Sequence, residues 1–331
     1  MTRADPITRR RLLTITAAAG AAALLHVRGG AARLEAVEWR GVALGAPATI
    51  RLYGHDRAHA QATLDAVGAE IRRLEAIFSL YRDDSALARL NRDRRLAHPP
   101  AELVALLSEA RGIAQATGGA FDPSIQPLWR LYGDHFARYP RAREGPSGAD
   151  IARALTKVGY RHISIRPDLI ALEGSGMQLS LNGIAQGFIT DSAVQLIRRA
   201  AFSQVLVDLG EIRALDQHPS GRPWRIGIRS PGAETTVLRK LSLVDQAVAT
   251  SAPGRTMFEP DGRFHHLLDP RTGRCASHYQ TLTVTAPNAT LADGLSTAFA
   301  IMPWPEVERT LARRPGIQVD ALLASGAWRA A

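Results

Sequence analysis

The chain has 331 residues, 46% hydrophobic and 22% charged, which is enough apolar material for one large core. Its formal charge of +10 suggests a polyanion partner, but five arginines against one aspartate place +4 of that in the first thirty residues. Only Lys157 and Lys240 are lysines, and no basic block beyond Arg11 interleaves with aromatics, so composition argues against a nucleic-acid partner. The single cysteine, Cys275, excludes an intramolecular disulfide and a thiolate metal centre.

In chain order, Thr8-Arg9-Arg10-Arg11 precedes an alanine-rich apolar stretch of about 14 residues, short of the ~20 that span a bilayer as a helix. Paired arginines before a short, weakly hydrophobic segment predict a twin-arginine export signal over residues 1–32. The mature domain, residues 33–331, is then expected in the periplasm, soluble or peripheral.

Residues 37–53 alternate apolar and polar side chains around Gly45-Ala46-Pro47, predicting two short strands or a bent one. Leu64, Val67, Ile71, Leu74, Ile77 and Phe78 fall on one face of a long amphipathic helix. Asp84 or Ser85 can cap a short helix running to Asn91. Another helix, with Leu103, Leu106, Leu107, Ala110 and Ile113, stops at Gly118-Gly119. An exposed loop is expected over 139–148, a helix over 149–158 and strands near 162–166, 170–173 and 177–181. A helix over 183–200 precedes strands near 204–209, 224–229, 236–243, 247–250, 264–268 and 280–285. Helices over 291–301 and 305–312 lead to one or two final strands. Strands in runs and helices in clusters imply an α+β fold with largely antiparallel sheets flanked by helices.

Three constellations can carry chemistry. His265-His266-Leu267-Leu268-Asp269-Pro270-Arg271-Thr272-Gly273 is a good turn, since Pro fixes φ and Gly permits φ > 0. The same segment brings an imidazole, His266, and a carboxylate, Asp269, close in sequence, a pair able to handle a proton. Asp293 and Thr297 stand four residues apart on a helix and so project from one face, presenting two hard oxygen donors of the kind Mg²⁺ takes. Alone, that pair reads first as a capping aspartate with a threonine back-bonded to the helix. Leu181-Asn182-Gly183-Ile184-Ala185-Gln186-Gly187 is a glycine-containing helix start suited to phosphate, or simply to close helix packing.

Order and spacing add what single motifs lack. From about Val42 onward the chain resembles the ApbE family of FAD:protein FMN transferases, whose architecture is T-fold-related. The resemblance rests on Phe78-Ser79-x-Tyr81 with Ser85 and Asn91, Gly119-Ala120-Phe121-Asp122, and Gly183-Ile184-Ala185-x-Gly187 with Asp191. It continues through Val207-Asp208-Leu209-Gly210, Trp224, Val248-Ala249-Thr250-Ser251, His266-x-x-Asp269-Pro270-x-Thr272-Gly273 and Ala292-Asp293-x-x-x-Thr297. It implies a flavin contact at Tyr81, an FAD-lining block at Ala120, Phe121 and Asp122, and further FAD contacts at Ser180, Gln186 and His266. It also implies Mg²⁺ ligation by Asp293 and Thr297, with Ser296 adjacent and the Gly183 carbonyl contributing. His266 is the first choice of general base, with Asp269 beside it.

The implied reaction moves FMN from FAD to a threonine of a periplasmic or membrane-anchored acceptor flavoprotein and releases AMP. Ser180 stands where the family often has Asp, Gln186 where Lys or Glu is common, Leu44 where Met is usual and Ala252 where Gly is usual. The Asn182–Gly187 and Asp208–Ile212 segments, with the arginine signal, look most like the NosX-type branch, whose acceptor would be an electron donor to nitrous-oxide reductase. An FAD pyrophosphatase, or a non-catalytic flavin-binding accessory protein, stays open as an alternative.

Overall fold

A computed structural model describes residues 34–230 and 233–331. The expected export signal therefore lies outside the described residues. Strand β1 (Glu35–Ala43) turns through Leu44-Gly45 into β2 (Ala46–Gly54), in register from Glu35–Gly54 to Ala43–Ala46. Helix α1 (Arg57–Phe78) follows, N-capped by the Asp56 carboxylate on the His59 N–H. Ser85, rather than Asp84, caps α2 (Ala86–Asp93), accepting from the Ala88 N–H at 2.9 Å. Next come β3 (Arg95–Ala97), α3 (Ala101–Ala116), α4 (Gln126–Arg138), α5 (Gly148–Leu155), β4 (Ile163–Ile165) and β5 (Leu169–Leu172). Then α6 (Ala185–Arg199), β6 (Val205–Asp208), β7 (Ile212–Leu215), β8 (Trp224–Ser230), β9 (Ala233–Leu243) and β10 (Ala247–Ser251) lead to β11 (Tyr279–Ala286). The chain ends in α7 (Ala289–Ile301), α8 (Trp304–Leu311), β12 (Gln318–Leu323) and β13 (Trp328–Ala330).

Eight strands form the main sheet in the order β1-β2-β6-β7-β10-β11-β12-β13, and every pair is antiparallel. Period-two alternation sorts its side chains. Val205, Val207, Ala247 and Ala249 join the large core under the helices, whereas Leu206 and Val248 point to the opposite face. There they pack with Trp224, Ile226 and Leu243 from the separate β8–β9 hairpin, so both faces of the sheet centre are covered. Strands β3, β5 and β4 form a small second sheet. The predicted α+β class with antiparallel sheets is the observed one.

The differences are local. Residues 264–268 and 177–181 are not strands; each makes only isolated bridges, Met257–His265, Leu268–Cys275 and Ile125–Gln178. Their backbone bonds go to turns, as where the His266 N–H meets the Thr256 carbonyl at 3.0 Å. Helix α4 was not expected, because Gly133 and the Pro127 start obscure a periodicity carried by Leu128, Tyr132 and Phe136. Those three side chains, with Leu268 and Phe264, build a satellite core that holds up the histidine segment. Among the described residues no helix is long and apolar enough to cross a membrane.

Candidate functional site

The site grows from the contact of α6 with α7. A Cβ at Gly187 would lie 2.3 Å from the Ala289 carbonyl oxygen, so only glycine lets the two helices meet this closely. Asp191, one turn further along α6, accepts from the N–H groups of Ala289 and Thr290 and from the Thr290 hydroxyl. It thereby closes the start of α7 together with the Asn288 N-cap. The contact lets the Gly187 N–H donate to Asp293 Oδ2 at 2.9 Å. Asp293 is 4% exposed and its Oδ1 accepts no hydrogen bond among the described residues.

One turn on, the Thr297 hydroxyl donates to the Gly183 carbonyl at 3.3 Å, and a Cβ at Gly183 would meet that hydroxyl at 2.9 Å. A carboxylate oxygen, a hydroxyl and a peptide carbonyl are thus gathered at the junction of the α6 start and α7. That hard-oxygen set fits Mg²⁺, which uses few protein groups and leaves the remaining positions to water and phosphate. Among the described residues no three His, Cys, Asp or Glu side chains converge as an all-protein metal cage. Ser296, expected beside the metal, is turned away. Its hydroxyl donates to the Asp293 carbonyl at 3.0 Å and lies 2.8 Å from that of Ser251, tying α7 to β10.

Two further carboxylates lie behind Asp293, and only one motif hinted at them. Asp208 ends β6, and Glu211, 3% exposed, starts the return into β7 with its Oε2 buried and without a hydrogen-bond partner. Burial raises the pKa of all three: Asp208 to about 6, Asp293 to about 7, and Glu211 well above the usual carboxylate range, with Asp293 and Asp208 adding repulsion. The Gln186 side chain packs against Gly210 between Asp208 and Glu211. Glu211 was missed because a lone glutamate between Gly210 and Ile212 reads as a turn residue; its unusual flanks, Leu209 and Ile212, were the available signal.

The adjacent histidines have different jobs. His265 is buried, with Nε2 on the Ala276 carbonyl at 2.9 Å and Nδ1 facing the Leu267 N–H at 3.3 Å, so both nitrogens are spent on the loop. His266 is half-buried and its Nδ1 faces the Thr256 carbonyl at 3.1 Å. A carbonyl only accepts, so Nδ1 carries the proton and Nε2 keeps its lone pair. Desolvation lowers the His266 pKa, with His265 and Arg255 adding to the effect, so the ring is neutral near pH 7.

Asp269 does not serve His266. Its carboxylate takes the Arg271 N–H and guanidinium at 2.9 to 3.0 Å, and it closes the Pro270–Gly273 turn. This corrects the expected imidazole–carboxylate pair: the intervening turn points the carboxylate to its own loop.

The remaining expected contacts separate likewise. Tyr81 is 71% exposed, three residues beyond the end of α1. Ala120 and Phe121 are buried in the main core. Asp122 accepts from Ser124 N–H and hydroxyl and from the Tyr160 N–H, so this block braces a turn instead of presenting side chains to a ligand. Ser180 is half-buried; its N–H donates to the Pro123 carbonyl at 2.8 Å, joining that turn to the segment leading into Gly183.

This α+β scaffold, with an oxygen-donor corner on two helices, is the fold of the ApbE flavin transferases. The chain belongs to the ApbE family, whose profile matches residues 44–322. It is 34% identical over 316 residues to the FAD:protein FMN transferase of Treponema pallidum, covering 89% of this chain and 86% of that one. The Salmonella typhimurium FAD:protein FMN transferase is 29% identical over 260 residues, 76% of this chain and 73% of its own. Among solved structures, the apo form of Pseudomonas stutzeri flavinyl transferase ApbE superposes with a TM-score of 0.77 at 29% identity, covering 90% and 94% of the two chains. The Thermotoga maritima ApbE protein does so with a TM-score of 0.78 at 28% identity, covering 89% and 96%.

Proposed function

We propose that this chain transfers FMN from FAD to a threonine hydroxyl of a partner flavoprotein, with Mg²⁺ held by Asp293, Thr297 and the Gly183 carbonyl. The carrying observation is the Gly187 N–H on Asp293 Oδ2, which fixes the carboxylate and leaves its other oxygen to a cation beside two further oxygen donors. The matched relatives bear the activity FAD:protein FMN transferase, and the fold is shared over nearly the whole of the neighbouring structures.

Bound there, Mg²⁺ would supply charge neutralisation for a diphosphate. The chain's own groups do the rest. His266 Nε2 takes the proton of the acceptor hydroxyl. The threonine oxygen forms a bond to the FMN phosphorus, the bridging P–O bond of FAD breaks, and AMP leaves with the electron pair. Tyr81, largely exposed, is an aromatic side chain of the kind that an isoalloxazine stacks against.

The paired arginines at Arg9–Arg11 support export by the twin-arginine route and work in the periplasm. The Asn182–Gly187 and Asp208–Ile212 segments support a NosX-type role, with an electron donor to nitrous-oxide reductase as acceptor. Incubation with FAD, Mg²⁺ and a candidate acceptor domain, followed by mass spectrometry, tests the reading. An FMN adduct on threonine with stoichiometric AMP is expected, and Asp293→Ala should abolish both. FMN and AMP formed equally fast without acceptor would instead make the enzyme a pyrophosphatase.

A further inference from the structure

Arg255 is half-buried, and its buried Nε has no hydrogen-bond partner among the described residues. It ends a short 3-10 turn, Pro253–Arg255, directly after β10. Four residues before it, the Ser251 hydroxyl contacts that of Ser296 on the Asp293 helix at 2.8 Å. One residue after it, the Thr256 carbonyl accepts both the backbone N–H and the ring Nδ1 of His266. The chain itself therefore strings Arg255 between the cation corner and the candidate base. Its charge acts on Asp208, Glu211, Asp293 and His266 alike.

An arginine serving only to neutralise those acids would pair with one of them. Among the described residues it forms no ion pair with any, and its buried Nε has no hydrogen-bond partner. Glu211, nearly fully buried, has an equally unpartnered oxygen and is acted on by the Arg255 charge. A buried N–H without an acceptor is costly to leave unmade, so the arrangement is reasonable only if a ligand completes it. The ligand facing a guanidinium is an anion, and one that also reaches the Asp293 corner needs more than one phosphate. A planar guanidinium suits two phosphate oxygens at once.

We infer that Arg255 is the diphosphate-orienting arm of this enzyme, gripping the FAD phosphates on the His266 side while the cation corner grips them on the Asp293 side. Its grip sets the phosphorus under His266 Nε2. The assignment rests on the transferase reading above and adds to it a residue outside the cation corner.

Isothermal titration of FAD with Mg²⁺ into wild-type protein, Arg255→Gln and Arg255→Lys tests it, with ADP run as a competitor of FAD. Arg255→Gln is expected to weaken FAD and ADP by the same factor, roughly 10- to 100-fold, the loss of a charged hydrogen-bond pair. Arg255→Lys should recover part of that loss, and the melting temperature of both variants should stay near that of the wild type. Should Arg255→Gln fail to fold, Arg255→Lys alone is expected to weaken both ligands several-fold. Equal affinity in wild type and variants would overturn the inference, as would loss of FAD binding with ADP untouched, or ADP that does not compete. Wild-type protein that binds no FAD with Mg²⁺ would instead sink the transferase reading itself.

Discussion

The Gly187 amide donates to Asp293 Oδ2 across 2.9 Å, and it can do so only because Gly187 has no Cβ to strike the Ala289 carbonyl. The packing of α6 on α7 and the orientation of the proposed cation ligand therefore depend on the same glycine. Gly187→Ala should cost ~1–3 kcal/mol of folding stability through forced separation of α6 and α7. It should also weaken Mg²⁺-dependent transfer. Denaturant unfolding with parallel Mg²⁺ titrations of activity measures both, and a stable variant with native metal dependence would break the link.

The Asp293 carboxylate carries a desolvation cost and repels the buried Glu211. Asp293→Asn keeps the shape and removes the charge. The variant is expected to be at least as thermostable as wild type without metal near pH 8, to lose stabilisation by Mg²⁺, and to be inactive. Thermal melts with and without Mg²⁺ decide it; a Mg²⁺-dependent shift retained in the variant would count against this ligand.

Stability should respond to pH through the same groups. Burial raises Asp293 to about 7 and Asp208 to about 6, from ordinary values of 3.8. A raised carboxylate adds stability that is complete below its unfolded pKa and is lost as the pH rises through the folded one. Metal-free protein should therefore lose stability between about pH 4 and about pH 7 on account of these residues. Mg²⁺ favours the ionised form, so the shift in melting temperature it produces should be larger at about pH 8 than at about pH 6.

His266 and Asp269 should part company on mutation. His266→Gln removes the only free imidazole lone pair of the segment and is expected to lower transfer ~100-fold or more. Asp269→Asn disturbs a turn held by Arg271, and should cost stability with little change in turnover per folded molecule. Single-turnover rates corrected for folded fraction distinguish the two. A comparable loss of rate in Asp269→Asn would restore the paired role.

Local rules made much of this molecule legible. Alternation over residues 37–53 identified the β1–β2 hairpin, the 64–78 stripe identified α1, and Ser85 was one of two named caps. Helix α4 escaped because its apolar face packs against residues 258–268, far away in sequence. The predicted strand at 264–268 failed for the converse reason. Its residues have strand-like composition, but the neighbouring backbone needed for a ladder is replaced by the satellite core and the Thr256 carbonyl.

The sequence by itself determined the α+β class, the i,i+4 projection of Asp293 and Thr297, the turn at Pro270–Gly273 and the family resemblance. These depend on helical or strand periodicity, on φ restrictions and on the order of motifs along the chain. Only the tertiary structure decided that Ser296 braces β10, that Asp269 serves Arg271, and that of the adjacent histidines it is His266 whose Nε2 is not taken by the loop. It alone brought Glu211, Asp208 and Arg255 to the Asp293 corner. The physical reason is that a side chain's role follows from which partners already claim its polar atoms, and those partners come from elements tens of residues apart.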